Sequence, residues 1–356
     1  MTAVGILGLG TFLPPTVRGN DWWPAAQVAR WGERMAHRAT RAADDAALAP
    51  AAQRTLAALA RYVDDPFRGA VTRRVMTPPM TTTDMEAAAA EQALAAAAVD
   101  RSTIDAVLTQ TPVPERLMVN EASPLHHRLG LARRCLAFGT EAACNGFAVH
   151  AELAHALIAS GQARTVLSVH SSAITRVHTD EEPHSAWWGD GAAAVVWGPV
   201  SAGRGLLARE HYVDGGTCDA LVLGVPGQAW WEPGPVTTHS VDRDHTRQML
   251  LSLVERAGDT IAAALRQAGL TADQVGFFAA HQGTAWLADA CREQAGLTAA
   301  ATVVTFPETA NMNSVNIPYV LDRGVRAGAL TDGTAVVTFG GGLGETWSAT
   351  VLRWGR

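Results

Sequence analysis

Two stretches decide the fold: Gly161-Gln-Ala-Arg-Thr-Val-Leu-Ser-Val-His170 and Thr331-Asp-Gly-Thr-Ala-Val-Val-Thr-Phe-Gly340, which lie 170 positions apart. A second pair has the same offset of 170, namely Ala106-Val-Leu-Thr-Gln-Thr111 and Gly276-Phe-Phe-Ala-Ala-His281. Neither match is significant alone, because any two strand-helix-strand units look alike. Two matches at one offset indicate a duplicated α/β half.

Short apolar strands alternate with longer helices around these stretches, which is typical of a layered α/β protein. We predict an N-terminal half, residues 1–200, with a helical insertion at about 20–65, and a C-terminal half, residues 201–356. Predicted strands are 4–9, 104–108, 134–138, 162–170, 192–197, 205–211, 274–279, 302–305, 334–339 and 347–352; predicted helices are 24–63, 83–98, 245–268, 286–294, 314–327 and one that begins near 144.

Composition excludes several classes of protein. Of the 356 residues 48% are hydrophobic and 17% charged, which predicts a folded core rather than a disordered chain. The formal charge of −6 argues against a nucleic-acid groove. All 28 basic residues are arginine, so enzymes that need a lysine are excluded: Walker-A nucleotide hydrolases, pyridoxal enzymes, kinases and Ser-x-x-Lys acylases.

Targeting signals and cysteine spacing predict a cytoplasmic protein with free thiols. The first residues lack a positive segment and meet Pro14-Pro15 too early for a signal peptide. No uncharged apolar run reaches about 18 residues, so we expect no spanning helix. The four cysteines form no Cys-x-x-Cys pair, and we expect neither a disulfide framework nor a zinc site.

Two further patterns are weak. Gly8-Leu-Gly10 follows a strand, but position 13 is leucine and Pro14 stops any helix, so a tight turn is favoured over a dinucleotide site. The stretch His178-Thr-Asp-Glu-Glu-Pro-His184 fits no helix face, and we interpret it as a polar surface loop rather than a metal cluster. We therefore predict no metal site.

Cys144 is the main candidate nucleophile. It lies in Glu141-Ala-Ala-Cys-Asn-Gly-Phe147, between a strand and a helix, where the positive end of the helix dipole is expected to lower the pKa of the thiol. The small neighbouring residues would let a substrate carbonyl approach. The alternative is a small cysteine buried in the core.

Three more features stand at strand ends. His281 ends an apolar strand, and Asn311 lies at a strand-to-helix turn; a core histidine and a capping asparagine are the alternatives. The run Phe339-Gly-Gly-Gly-Leu-Gly344 predicts a close backbone approach or positive φ angles. Gly189-Asp-Gly191 is interpreted as a structural turn.

Five motifs together match one family. They are Glu141-Ala-Ala-Cys-Asn-Gly-Phe147, Trp188-Gly-Asp-Gly-Ala-Ala-Ala-Val-Val196, His281-Gln282, Asn311 and Phe339-Gly-Gly-Gly-Leu343. Their order and gaps, with 137 residues from Cys144 to His281 and 30 from His281 to Asn311, resemble the β-ketoacyl-acyl-carrier-protein synthase III family. The resemblance covers nearly the whole chain outside roughly residues 20–65.

The resemblance implies an α/β thiolase fold with a duplicated α-β-α-β-α five-layer architecture, and a homodimer. It implies that Cys144 takes an acyl group from acyl-CoA as a thioester. His281 and Asn311 would hydrogen-bond the carbonyl of a malonyl thioester during decarboxylation, without a cofactor. The backbone amides of Cys144 and Gly341 would form the oxyanion hole.

Met118 falls, by the same resemblance, where the family places a bulky apolar residue that crosses the dimer interface and closes the partner's acyl pocket. A methionine there would fit varied acyl chains because it is unbranched and flexible. The alternative is a methionine that only packs a loop.

Departures from the family pattern leave the reaction open. After His281-Gln282 the family continues with Ala, Asn and a basic residue, whereas this chain has Gly283, Thr284, Ala285 and Trp286. Docking of an acyl carrier protein is therefore in question, and a role in specialised, polyketide-type metabolism is expected. The alternatives are an acyltransferase without decarboxylation, with His281 as general base, and a silent subunit of another synthase.

Overall fold

The computed structural model describes residues 2–39 and 48–356. Its strands are β1 (Val4–Phe12), β2 (Val17–Gly19), β3 (Thr72–Arg74), β4 (Ala106–Gln110), β5 (Leu136–Thr140), β6 (Val166–Ser172), β7 (Gly191–Pro199), β8 (Gly205–Val213), β9 (Val222–Gly224), β10 (Thr237–His239), β11 (Phe277–Ala280), β12 (Ala335–Gly342) and β13 (Thr346–Arg353). Its α-helices are α1 (Ala25–Ala39), α2 (Pro50–Ala60), α3 (Thr82–Ala97), α4 (Ala122–Leu129), α5 (Gly146–Ala159), α6 (Arg243–Ala268), α7 (Leu287–Gln294), α8 (Phe306–Thr309) and α9 (Asn316–Arg326).

Two sheets of the same design form the frame. The first has the strand order β1-β7-β6-β4-β5, and the second has the order β8-β13-β12-β11. In the first sheet β4 pairs in parallel with both β5 and β6, and the remaining pairs are antiparallel. In the second sheet β11 and β12 are parallel, and the remaining pairs are antiparallel. The pairs β4–β6 and β11–β12 are the strands that the offset of 170 superimposes, so the internal match reflects two equivalent sheets.

The sheets and helices stack in five layers. Side chains of α5 and α9 fill the space between the two sheets, where they pack against β4, β6, β7, β11, β12 and β13. Helices α3 and α4 cover the outer face of the first sheet, and α6 and α7 cover the outer face of the second. The predicted five-layer α-β-α-β-α architecture is therefore confirmed. Strands such as β4 are buried along their whole length because helices cover both of their faces.

Two predicted elements differ from the structure. No strand forms at 302–305; the structure has only a single bridge between Phe277 and Ala301 there, followed by α8. The predicted helical stretch 24–63 consists of two helices, α1 and α2, and residues 40–47 between them lie outside the described part of the chain. We propose the boundary between the halves near residue 200, because β7 ends the first sheet at Pro199 and β8 begins at Gly205.

Candidate active site

Cys144 lies in a tight turn at the start of the central helix α5. The chain leaves β5, passes through Ala143 with φ +46°, and makes one 3-10 turn over 143–145 before α5 begins. Only 5% of the cysteine is exposed. Gln110 of β4 holds the turn, because its Oε1 accepts a hydrogen bond from the backbone N–H of Ala142 at 3.0 Å.

The glycine run of β12 packs directly against this turn. A Cβ atom on Gly342 would stand 2.7 Å from the carbonyl oxygen of Ala142, and one on Gly340 would stand 3.5 Å from that of Cys144. Gly341 points the opposite way, toward the Trp347 ring. The predicted close backbone approach is therefore present, and it is an approach to the cysteine turn.

The expected lowering of the Cys144 pKa is wrong for the closed site. Burial raises the pKa of this thiol to about 12, and the nearby Glu141 carboxylate acts in the same direction. Glu141 accepts hydrogen bonds from the backbone N–H of Ala143 at 2.6 Å and from Gln110 Nε2 at 3.1 Å. Desolvation outweighs the helix N-terminus here, because almost no water reaches the sulfur. Cys144 therefore rests as a thiol.

His281 follows β11 and faces the same region. Its backbone N–H donates to the Phe339 carbonyl at 2.8 Å, which continues the parallel pairing by one residue. The next residue, Gln282, folds the following chain inward: its Oε1 accepts from the N–H groups of Thr305 and Phe306. Burial lowers the pKa of His281 to about 4, against a smaller opposite effect of the Asn313 carbonyl. The imidazole is therefore neutral at physiological pH.

Asn311 is fixed by its backbone and by one side of its amide. Its N–H donates to the Trp187 carbonyl at 2.9 Å, and its carbonyl accepts from the N–H of Gly189 at 3.0 Å. The side-chain Oδ1 accepts from the N–H of Asn313 at 2.8 Å. Asn311 therefore caps the following turn, as the alternative interpretation held. The cap uses only the Oδ1 atom of its amide, and the Nδ2 group takes no part in it.

The two donors converge beside Gly283. A Cβ atom built on this glycine would stand 2.9 Å from His281 Nε2 and 3.7 Å from Asn311 Nδ2. A single oxygen atom near this point could accept from both nitrogen atoms. The Cys144 turn adjoins the same place, because a Cβ on Gly146 would stand 3.1 Å from the Cβ of Ser314, three residues after Asn311. The starts of α5 and α9 therefore bring together the three residues that the sequence singled out.

Met118 lies away from this cluster. It is fully exposed in a loop, has φ +63°, and has the exposed Leu117 beside it. A single chain gives Met118 no place in an acyl pocket, so the predicted pocket role requires a second copy. Gly341, the other predicted oxyanion-hole residue, lies on β12 opposite Trp347.

The loop 178–184 lies at the surface over Asp180 and Glu181, as predicted, but its two histidines turn inward. His178 is buried and stacks on Trp188 with ring centroids 5.8 Å apart and an interplanar angle of 15°. His178 and His184 share the Thr237 hydroxyl, at 3.3 and 2.7 Å. Over residues 2–39 and 48–356 no group of His, Cys, Asp and Glu is arranged to hold a metal ion, and no helix is long and apolar enough to cross a membrane.

Sequence analysis missed three residues that shape the site: Gln110 and Glu141, which hold the cysteine turn, and Asn316. Asn316 donates to the Gln282 carbonyl at 3.1 Å and contacts His281 Nδ1 at 3.3 Å. One signal was available for it: asparagine recurs at 311, 313 and 316 just before the helix.

Comparisons with known proteins agree with this geometry. Family profiles described as 3-oxoacyl-[acyl-carrier-protein] synthase III and as its C-terminal part match residues 138–215 and 265–354. Beta-ketoacyl-[acyl-carrier-protein] synthase III of Sphingopyxis alaskensis is 32% identical over 79% of this chain and 86% of its own length. The Bacillus pumilus protein of that name is 31% identical over 80% and 87%. The crystal structure of 3-oxoacyl-(acyl carrier protein) synthase III from Pseudomonas aeruginosa PAO1 superimposes with a TM-score of 0.79 and 26% identity over 99% of both chains.

Proposed function

The chain belongs to the β-ketoacyl-acyl-carrier-protein synthase III family of acyltransferases, and within that family we propose a condensing enzyme that uses Cys144, His281 and Asn311. Cys144 takes an acyl group from acyl-CoA. The acyl-enzyme then reacts with a malonyl thioester, which loses CO₂ as the new C–C bond forms. The chemistry uses no cofactor, because decarboxylation itself supplies the carbon nucleophile.

In the first step the Cys144 sulfur attacks the acyl-CoA carbonyl. The new C–S bond forms as the bond to coenzyme A breaks, and the cysteine proton ends on the sulfur of coenzyme A. Because the thiolate is the attacking form and burial raises the pKa of Cys144 to about 12, the thiol proton has to leave the sulfur as the acyl-CoA carbonyl is attacked. The tetrahedral oxyanion would be held by the backbone amides of Cys144 and Gly341.

The second step rests on the convergence of His281 Nε2 and Asn311 Nδ2 at one point. This observation carries the proposal. When the malonyl carboxylate leaves as CO₂, its electron pair becomes an enolate whose oxygen needs donors. The enolate carbon attacks the acyl carbonyl, Cys144 leaves as thiolate, and a solvent proton restores the thiol. A neutral imidazole and an amide can donate without trapping the enolate as an ion pair.

An acyltransferase without decarboxylation is the second candidate. None of residues 283–286 is basic, and Trp286 is buried, so this stretch offers no cation for an acidic carrier. The low pKa of His281 works against this candidate, because a weakly basic imidazole is a poor general base at neutral pH.

The proposal also covers the metabolic role, the oligomeric state and the cellular location of the enzyme. The substitutions at 283–286 favour specialised, polyketide-type metabolism over fatty-acid initiation, with coenzyme A or an acyl carrier protein presenting the malonyl group. A homodimer is supported by the exposed edge strand β5 and by Leu117 and Met118 beside it, and Met118 would then close the partner's acyl pocket. We place the enzyme in the cytoplasm, where acyl-CoA is made.

The test separates loading from condensation. Purified protein is incubated with a panel of acyl-CoAs, and intact mass is measured for the acylated chain. A malonyl thioester labelled in its free carboxyl is then added, and labelled CO₂ is collected with the β-keto product. Cys144→Ala is the control for background decarboxylation. Acyl transfer to a hydroxyl or amine without release of CO₂ would establish the second candidate instead.

A further inference from the structure

Asn316 opens α9 as its first residue and is completely buried against His281. We propose that Asn316 is a positioning residue that holds His281 in the tautomer with its proton on Nε2. The tautomer stands on geometry alone, whereas its use in donating to the substrate carbonyl rests on the proposed function.

The amide of Asn316 has only one orientation that satisfies its neighbours. Its Oδ1 faces the backbone N–H of Met312 at 3.0 Å, and that group can only donate. Its Nδ2 faces the Gln282 carbonyl at 3.1 Å, and that group can only accept. A flipped amide would place N–H against N–H and oxygen against oxygen. The backbone on both sides therefore fixes which atom is nitrogen.

The remaining N–H of Asn316 is directed at His281. Nδ2 stands 3.3 Å from His281 Nδ1, so the histidine nitrogen must accept. A neutral imidazole has one bare nitrogen and one N–H group, and a bare Nδ1 puts the hydrogen on Nε2. Nε2 is the atom that faces the point beside Gly283 where Asn311 Nδ2 also converges.

Among the described residues no charged side chain shifts the pKa of this ring, since only burial and the Asn313 carbonyl act on it. The other groups nearby are the amides of Asn311 and Asn316 and, adjoining them, the Cys144 turn, whose thiol has a raised pKa. The protonation state of His281 is therefore set by burial and by neutral hydrogen bonds.

This arrangement selects between the two candidate reactions. An Nε2–H group donates to a carbonyl or enolate oxygen, as decarboxylation requires. A general base for acyl transfer would need a bare Nε2, which Asn316 disfavours. The buried side-chain amide of Asn316, five residues after Asn311, thus sets the chemical role of His281.

Asn316→Asp tests the inference directly. The carboxylate still accepts from Met312 N–H, but it replaces the donor opposite Nδ1 with an acceptor. It should move the histidine proton to Nδ1 and raise the pKa of His281. Asn20→Asp is the matched control, because that amide also donates to a backbone carbonyl, Ala70, in another part of the fold.

The first readout is ¹⁵N NMR of the imidazole rings, with the His281 signals identified by their loss in His281→Gln. The native protein should show a bare Nδ1 and a protonated Nε2, and Asn316→Asp should show the reverse. A protonated Nδ1 in the native protein, or an unchanged tautomer in folded Asn316→Asp, would overturn the inference. This measurement needs no substrate, so the tautomer can be right even if malonyl turnover is absent and the proposed function fails.

The second readout is the pH profile of CO₂ release. At pH 8, Asn316→Asp should load Cys144 normally but release CO₂ about 10²-fold more slowly, the scale for loss of one donor. As the pH falls through the raised pKa of His281, the ring gains a second proton and Nε2 can donate again, so activity should recover. A purely structural defect would give no recovery at lower pH, and that outcome would contradict the positioning role.

Discussion

Gly283→Val probes the oxygen position beside His281; valine is needed because the family carries alanine here and so tolerates a single Cβ. The added Cβ would stand 2.9 Å from His281 Nε2 and 3.7 Å from Asn311 Nδ2. An oxygen that accepts from an N–H group sits about 2.7–3.2 Å from the nitrogen. The two γ-methyl groups of valine, which extend beyond that Cβ, would therefore crowd the place that the substrate oxygen needs or push the imidazole out of line.

The expected effect follows from the number of donors affected. Loss of one preorganised donor costs about 10²–10³-fold in rate, so CO₂ release should fall by at least about 10²-fold. Loading of Cys144 should change little, because the first step uses the cysteine turn and the glycines of β12. The added Cβ would overlap His281 Nε2 by a few tenths of an ångström, and a small overpacking of this kind costs about 1–3 kcal/mol of stability.

The assay compares acylated mass, labelled CO₂ and thermal midpoint in the same preparation. Gly215→Val is the matched control, because a Cβ there meets no atom within 4 Å and its φ is not positive. Neither valine asks the backbone for a positive φ, so the two variants differ in what the side chain contacts. A Gly283→Val protein that loads and decarboxylates at the native rate would refute the assignment of the oxygen position.

Three further predictions use the same assays. Cys144→Ala should abolish the mass increase with acyl-CoA, and acylation that persists elsewhere in the variant contradicts the assignment. Because burial raises the pKa of native Cys144 to about 12, iodoacetamide should alkylate it far more slowly near pH 8 than exposed Cys218, and faster as the pH rises. Asn311→Ala should load normally and release CO₂ about 10²-fold more slowly, with Asn311→Asp as a control that keeps the Oδ1 acceptor; normal turnover by both would make Asn311 a structural cap only. Met118→Trp should shift preference toward shorter acyl groups, by about 1–3 kcal/mol per methylene, and an unchanged chain-length profile in a folded dimer would rule out the pocket placement.

Much of the fold was predictable because its strands are locally apolar and are repeated. The offset of 170 joined β4 to β11 and β6 to β12 before any contact was known. The strand expected at 302–305 failed because the side chain of Gln282 takes the N–H groups that a strand would have paired. Such a hydrogen bond joins residues more than 20 positions apart and leaves no periodic pattern.

The candidate site was predictable in its residues and not in its electrostatics. The position of Cys144 before a helix is visible in the sequence, but its burial depends on β12, which arrives about 200 residues later. The same limit applies to the histidines at 178 and 184, whose polar surroundings in sequence concealed a buried contact with Thr237. The role of Asn316 was missed because it depends on which atom of its side-chain amide, Oδ1 or Nδ2, faces each backbone partner.

The five-layer stack has a consequence for the order in which the chain can fold during synthesis. The first sheet is complete once β7 has emerged, yet the apolar side of α5 remains bare until α9 and β12 are made. At about 5–20 residues per second, the roughly 140 residues between β7 and β12 take on the order of 7–30 s. During that interval the nascent chain exposes the apolar side of α5 to the ribosome surface and to chaperones. Cys144 is then already in place, but the chain cannot yet react because the later residues of the site have not been made.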